Sequence, residues 1–245
     1  RQWLGNGRSH WQSSERPTYA EDAGCERSGW VNDAGEGAHA MLDVESLSPI
    51  PYRILYLVRH GKYEATLAAP DPGDGPLTEL GREQAHLVGQ RLSGLAVSII
   101  HHSTLMRATE TAQIIASYFP DVELRPSPLL KECLPSVPAS TVALLGESAT
   151  PDHLRRSDRQ AQQVFRQWFQ LPAADVERTT REIVVSSGNL ISYLIARMMG
   201  ASGRQWMHTT IQHCGVSEIV LGGGRERLVL RHNDTGHLPT HLQTI

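Results

Sequence analysis

Arg53-Ile54-Leu55-Tyr56-Leu57-Val58-Arg59-His60-Gly61 is the stretch on which the reading of this chain turns. The unbroken apolar run Ile54–Val58 suits a strand buried on both faces of a parallel sheet, where no alternation of polar and apolar residues is needed. The run stops at Arg59-His60, so a cation and an imidazole stand at the mouth of the sheet. Gly61 then allows a sharp turn and a close backbone approach to a ligand. A neutral imidazole attacks phosphorus well if one ring nitrogen is free and the other donates to a fixed acceptor. Taken alone, the triplet fits a strand end with solvated charges equally well.

Downstream, strands alternate with helices. Thr78 is placed to cap a helix over Glu79–Leu92, with Leu80, Ala85, Leu87, Val88 and Leu92 on one side. Val97–Ile100 reads as a second strand, and Leu105–Tyr118 as a helix that stops before Pro120. Residues 133–153 hold Pro, Ser, Gly and Thr and read as a loop-rich insertion forming one wall of a site. His153–Phe169 carries a helical stripe of Ala161, Val164, Phe165 and Trp168 facing the core. Ile183–Val185 is a third strand, and Leu190–Met199 a helix ended by Gly200. Val216–Leu221 and Arg227–Leu230 are further strands, with Gly222-Gly223-Gly224 as the hairpin turn between them. The alternation predicts an α/β fold, a three-layer α/β/α sandwich with a mostly parallel central sheet. Sites in such sheets lie past the C-terminal ends of strands. Arg59-His60, His102-Ser103 and Ser186-Ser187-Gly188 all fall there.

Upstream, residues 1–50 are rich in Gly, Ser, Asp, Glu and Arg and read as an irregular or partly disordered arm. Trp3, Trp11 and Trp30 would let it dock on the body or on a second subunit. Residues 51–245 form the folded domain, with an insertion or lid over about 133–180. The chain opens on Arg1, which fits processing or truncation. A net charge of -3 argues against a general nucleic-acid binder, which carries a basic face. No stretch reaches the ~18 apolar residues that span a bilayer. The three cysteines, Cys25, Cys133 and Cys214, are far apart and odd in number. They suggest neither a disulfide framework nor a zinc site, and point to a reducing intracellular compartment, cytoplasmic or mitochondrial. The twelve histidines form no metal-ligand spacing.

A second motif sharpens the first. His102-Ser103-Thr104-Leu105-Met106-Arg107-Ala108-Thr109-Glu110-Thr111-Ala112 sets Arg107 in the first turn of a helix that follows a strand. Helix N-termini attract anions, and a guanidinium there adds a planar fork of donors for phosphate oxygens. Ser103 fits two roles at once, a donor to phosphate and the N-cap of the Arg107 helix. Glu132 fits either a surface carboxylate or an acid; Cys133 beside it fits a packing residue.

Together these stretches resemble the histidine phosphatase superfamily, the phosphoglycerate-mutase-like proteins. The resemblance rests on LVRHG at 57–61, GPLTELGREQA at 75–85, HSTLMRATETA at 102–112, Glu132, VVSSGN at 184–189 and HCGVSEI at 213–219, and it covers 53–245. Within the superfamily, the closing Asn233-Asp234-Thr235-Gly236-His237-Leu238-Pro239 is similar to the mitochondrial Ser/Thr protein phosphatase branch. The resemblance implies that His60 is a nucleophile that becomes phosphohistidine. Arg59 and Arg107 would hold the phosphoryl oxygens, with Ser103 and Gly188 binding phosphate beside them. Glu132 would protonate the leaving oxygen and then activate water, which requires a raised pKa. It implies a phosphorylated substrate, protein or small molecule, no cofactor or metal, and a homodimer as the assembly.

One position departs from the pattern. The family carries a histidine before the Gly-Asn of the fourth element, and here Ser187 stands in its place. A hydroxyl is shorter, neutral and a weaker donor, and losing one preorganised donor costs ~10²–10³ in rate. Three explanations compete: a natural variant of low activity, a replacement made to slow turnover, or compensation by His208 or His213. A pseudophosphatase or scaffold that binds a phosphorylated or protein partner is the alternative function. Thr66, where many mutases carry asparagine, weighs against a mutase, as does the short stretch between Glu132 and Ser187.

Overall fold

The structure, a computed structural model, describes residues 51–245 apart from 70, 72, 143–148, 174–175 and 223–224. The expected N-terminal arm, the middle of the 133–153 insertion and the Gly223-Gly224 part of the hairpin lie outside the described residues.

The apolar run becomes β1 (Tyr52–Arg59), followed by α1 (Glu79–Leu92), β2 (Val97–Ser103) and α2 (Met106–Ala116). Then come β3 (Glu123–Ser127), α3 (Ala139–Val142), α4 (Pro151–Trp168), β4 (Thr180–Ser186), α5 (Gly188–Met198), β5 (Val216–Gly222) and β6 (Arg225–Asp234). The sheet runs β3-β2-β4-β1-β5-β6. β3, β2, β4 and β1 are parallel neighbours, whereas β5 pairs antiparallel with β1 and β6 antiparallel with β5. The sheet is therefore mixed and mostly parallel.

Alternate residues of each central strand feed two cores. Leu55, Leu57, Val184, Ile219 and Leu221 pack with α4 and α5 through Ala161, Val164, Trp168, Leu190, Ile191 and Leu194. Their neighbours Ile54, Tyr56, Val58, Ile183, Val185 and Val220 are equally buried and, by the two-residue period of a strand, face the opposite layer. The layer of α1 and α2 supplies buried Ala85, Val88, Leu92, Ala108, Ala112 and Ile115. That is the three-layer α/β/α sandwich.

The local signals act as physics requires. Thr78 accepts a hydrogen bond from the Gly81 amide at 3.1 Å, capping α1. The buried face of α1 centres on Gly81, Gln84, Ala85, Val88 and Leu92, while Leu80 and Leu87 are only half-buried. Gly200 ends α5 with φ +72°. Ser103, expected to cap α2, does not: the N-cap is Leu105, and the Ser103 hydroxyl closes a tighter turn by accepting from the Leu105 amide at 3.2 Å. β3, which the sequence did not reveal, makes Thr180–Ser186 the fourth strand. Within the stretch expected as an insertion or lid, α4 lays Ala161, Val164 and Trp168 into the core. No helix among the described residues is long and apolar enough to cross a membrane.

Candidate active site

Because β1, β2 and β4 are parallel, their C-terminal ends share one edge. There His60 follows β1, Arg107 opens α2 after β2, and Ser187 follows β4. The His60 amide donates to the Ser186 carbonyl at 2.9 Å, and the Gly61 amide to the Thr111 hydroxyl at 3.0 Å. Thr111 in turn donates to the Arg107 carbonyl at 2.7 Å, so one side chain joins the turn after β1 to α2.

His60 is 2% exposed. Its Nδ1 lies 2.9 Å from the Gly61 carbonyl, and Arg107 Nε donates to its Nε2 at 3.0 Å. An accepting Nε2 requires the proton on Nδ1, so the lone pair of Nε2 points toward Arg107. Burial, with Arg107, Arg59 and His213 nearby, holds the imidazole pKa well below its ordinary value. His60 is therefore neutral, as a nucleophile must be.

Arg107 is fixed on three sides. Besides His60, its Nη1 donates to Asp74 Oδ1 at 2.9 Å, and the Tyr63 ring lies 4.4 Å from its guanidinium carbon. Asp74 is itself buried and accepts from the Met106 amide at 2.6 Å. Arg59 donates through Nη1 to the Ile211 carbonyl and through Nη2 to His213 Nε2 at 3.1 Å, leaving its buried Nε without a partner among the described residues. His213 then donates from Nδ1 to the Thr244 hydroxyl at 3.0 Å, which also receives Gln84 Nε2 at 2.9 Å.

Glu132 is placed from both sides. The Ser186 hydroxyl donates to the Leu130 carbonyl at 2.8 Å, and Gln160 of α4 donates to the Leu129 and Lys131 carbonyls at 2.9 and 2.8 Å. Lys131 pairs with Asp71 at 2.9 Å. Burial pushes the Glu132 carboxyl up to about 7, against the opposing pull of Arg107 and the Cys133 amide. Cys133 is a core residue, its thiol pushed up by burial.

Ser187 is fully buried, and its hydroxyl has no partner among the described residues. Gly188 begins α5 against Arg59: a Cβ there would come within 3.4 Å of the unpartnered Arg59 Nε. The hydroxyl of Ser187 and Nε of Arg59 are thus two buried donors with unused hydrogens at a helix N-terminus, an arrangement suited to an anion. Of the two histidines that could compensate for Ser187, only His213 stands at the site, its ring centroid 5.6 Å from that of His60. His208 is exposed at the end of a 3₁₀ turn, Gly203–His208. His213 is held neutral, its pKa lowered to about 4 by burial and Arg59, and its Nε2 is already used.

Of the site residues expected from sequence, Arg59, His60, Ser103, Arg107, Glu132, Ser187 and Gly188 lie at this edge of the sheet, and His208 does not. Sequence reasoning missed Asp74, Tyr63, Thr111 and Gln84. Asp74 lay one residue before the quoted GPLTELGREQA stretch, and its only signal was an acid, with Asp71, in a Gly-Pro turn.

The family model for the histidine phosphatase superfamily, branch 1, matches residues 55–235. The chain is 30% identical over 201 residues to the mitochondrial serine/threonine-protein phosphatase PGAM5 of Xenopus laevis, covering 81% of this chain and 71% of that protein. Among solved structures it resembles phosphoglycerate mutase from Plasmodium falciparum, with a TM-score of 0.52, 24% identity and coverage of 78% and 96% of the two chains. It also resembles phosphoserine phosphatase from Entamoeba histolytica, with a TM-score of 0.56, 22% identity and coverage of 76% and 100%.

Proposed function

This chain belongs to branch 1 of the histidine phosphatase superfamily, and from that premise we propose that it hydrolyses phosphoric monoesters through a phosphohistidine on His60, at a rate limited by Ser187. The single observation that carries the reading is the pinning of His60. Nδ1 is tied to the Gly61 carbonyl, which aims the Nε2 lone pair at the guanidinium of Arg107.

The geometry orders the steps. An arriving phosphoryl group takes over donors of Arg107 and satisfies the idle Nε of Arg59 and hydroxyl of Ser187. Nε2 of His60, released from Arg107, attacks phosphorus. The bond to the leaving oxygen breaks, and the carboxylic acid of Glu132 gives that oxygen its proton. Glu132, now a carboxylate, takes a proton from water, and the resulting hydroxide attacks the phosphohistidine. Inorganic phosphate leaves and His60 is restored. Glu132 near 7 holds both protonation states at neutral pH, as an acid that turns base must.

The substrate class follows the relatives. A phosphorylated serine or threonine on a protein is the substrate named by the PGAM5 relatives, and a mitochondrial site of action is the corresponding localisation. The second reading, a weak pseudophosphatase that binds a phosphorylated partner, draws on the orphaned hydroxyl of Ser187. The test is to quench the protein with a phosphomonoester bound and map the phosphate by mass spectrometry. Acid-labile phosphate on the peptide holding His60 is expected. Slow turnover with phosphate on another residue, or on none, overturns the covalent route.

A further inference from the structure

We infer that the groove between α4, α5 and the 3₁₀ turn Gly203–His208 is a docking site for an acidic peptide segment, and that it selects phosphoproteins with acidic residues a few positions from the phosphoresidue. This rests on the phosphatase reading only for its second half.

The groove has a volume of about 290 Å³ and is lined by Ser136, Phe165, Arg166, Tyr193, Arg197 and Gly203, with Gln162 at its side. The charged residues among its lining are both cations, Arg166 and Arg197. Arg166 and Arg197 are exposed, and neither has an acidic partner among the described residues. The acid nearest in sequence on α4, Asp158, stands beside the groove but is engaged there: it accepts from the amide and the hydroxyl of Ser136, the latter at 2.9 Å. Of the neighbouring outer positions of α4, Arg156 and Arg159 are exposed as well, while Arg155 pairs with Asp152. A chain with a net charge of -3 thus concentrates cations on one helix.

The guanidinium of Arg197 is also held in place. The Phe165 ring stacks on Phe169 at 5.1 Å and 10°. The guanidinium carbons of Arg197 and Arg227 both lie 5.6 Å from the Phe165 centroid. Aromatic support of this kind fixes arginine for carboxylate recognition at a lower entropic cost than a free side chain. A concave site with convergent cations and an aromatic floor fits Asp or Glu side chains on an extended chain.

Position ties the groove to the site. Ser187 caps α5, Tyr193 lies about 9 Å along the same helix and Arg197 about 15 Å, at 1.5 Å per residue. An extended peptide covers that span in about three to five residues. On the other wall, Ser136 follows Glu132 by a stretch of chain at most about 14 Å long. A phosphoresidue at His60 would therefore bring residues three to five positions away to Arg166 and Arg197.

The test begins with binding, which does not depend on catalysis. Fluorescence anisotropy is measured for an unphosphorylated Glu-rich decapeptide, its Lys counterpart and vesicles containing phosphatidylserine. Proteins are the unaltered chain, the double variant Arg166→Glu/Arg197→Glu and the control Arg125→Glu on β3. The inference expects binding of the acidic peptide only, weakened about tenfold or more by the double variant and by added salt, and unchanged in the control. Equal binding of both peptides, no binding, or binding of vesicles in place of peptide overturns it. Phosphopeptides with Glu or Lys three to five positions from the phosphoresidue are then offered to the Ser187→His variant. Preference for Glu that the double variant removes, with unchanged aryl phosphate hydrolysis, supports the selective role. Acidic peptide bound but no phosphopeptide cleaved leaves the groove standing and sinks the phosphatase reading. Cleavage indifferent to Glu or Lys does the reverse for the selective role.

Discussion

Two residues decide what this site can do. Glu132 can serve as the proposed acid because burial outweighs two arginines and two backbone amides, which leaves its pKa at about 7. Forming phosphohistidine needs protonated Glu132 and neutral His60, and His60 stays neutral to well below its ordinary value. The account predicts that kcat/KM is flat through mildly acid pH and falls about tenfold per unit above about 7. Glu132→Gln should remove that limb and slow turnover about 10²–10⁴-fold; a limb that persists in the variant would assign it elsewhere. The same shift bears on stability. A carboxyl raised in the folded state stabilises fully below its unfolded value of about 4.5, and that stability is lost as pH rises through about 7. Glu132→Gln should therefore raise the denaturation midpoint at pH 8, by an amount equivalent to about 3 kcal/mol at most, and leave it little changed at pH 5. Ser187 is the second such residue. A buried hydroxyl with no partner costs about 1–3 kcal/mol, so Ser187→Ala should hold or increase stability in urea denaturation. A marked loss would mean the hydroxyl has a partner.

At the scale of elements, the turn after β1 and the first turn of α1 interlock through glycines. A Cβ on Gly61 would meet the Gly81 carbonyl oxygen at 2.5 Å, and one on Gly81 would meet the Lys62 carbonyl oxygen at 1.9 Å. Both obstacles are backbone, so neither can step aside. Gly81→Ala should destabilise by at least about 1–3 kcal/mol and lower turnover together with stability; a variant as stable as the parent would show that the approach is looser. These elements also mark how far sequence carries. β1, β4 and β5 were legible because an apolar run buried on both faces has one reading, and α1 because Thr78 announced it. β3 was not legible: Glu123-Leu124-Arg125-Pro126-Ser127 is an exposed edge strand, so it needs no apolar pattern and tolerates proline. Ser103 misled because α2 begins later than a strand-to-helix junction suggested. His60, Arg59, Arg107 and Glu132 could be found from motif order. Asp74 and Tyr63 could not, since what defines them is contact with Arg107, which only the folded chain creates.

For the whole molecule, the parallel core of the sheet is the cause of the site. It gathers the ends of β1, β2 and β4 on one edge, while the antiparallel β5 returns Cys214 to donate its amide to the Arg59 carbonyl at 3.1 Å. The proposed phosphoryl transfer draws on His60, Arg59, Arg107 and Glu132 there, with Ser187 standing where it would use a cationic imidazole. That makes a single comparison decisive: hydrolysis of an aryl phosphate by the unaltered chain, His60→Ala and Ser187→His, side by side. The account predicts slow turnover in the unaltered chain, none in His60→Ala, and a rise of about 10²–10³-fold in Ser187→His. Equal rates in all three proteins would contradict it.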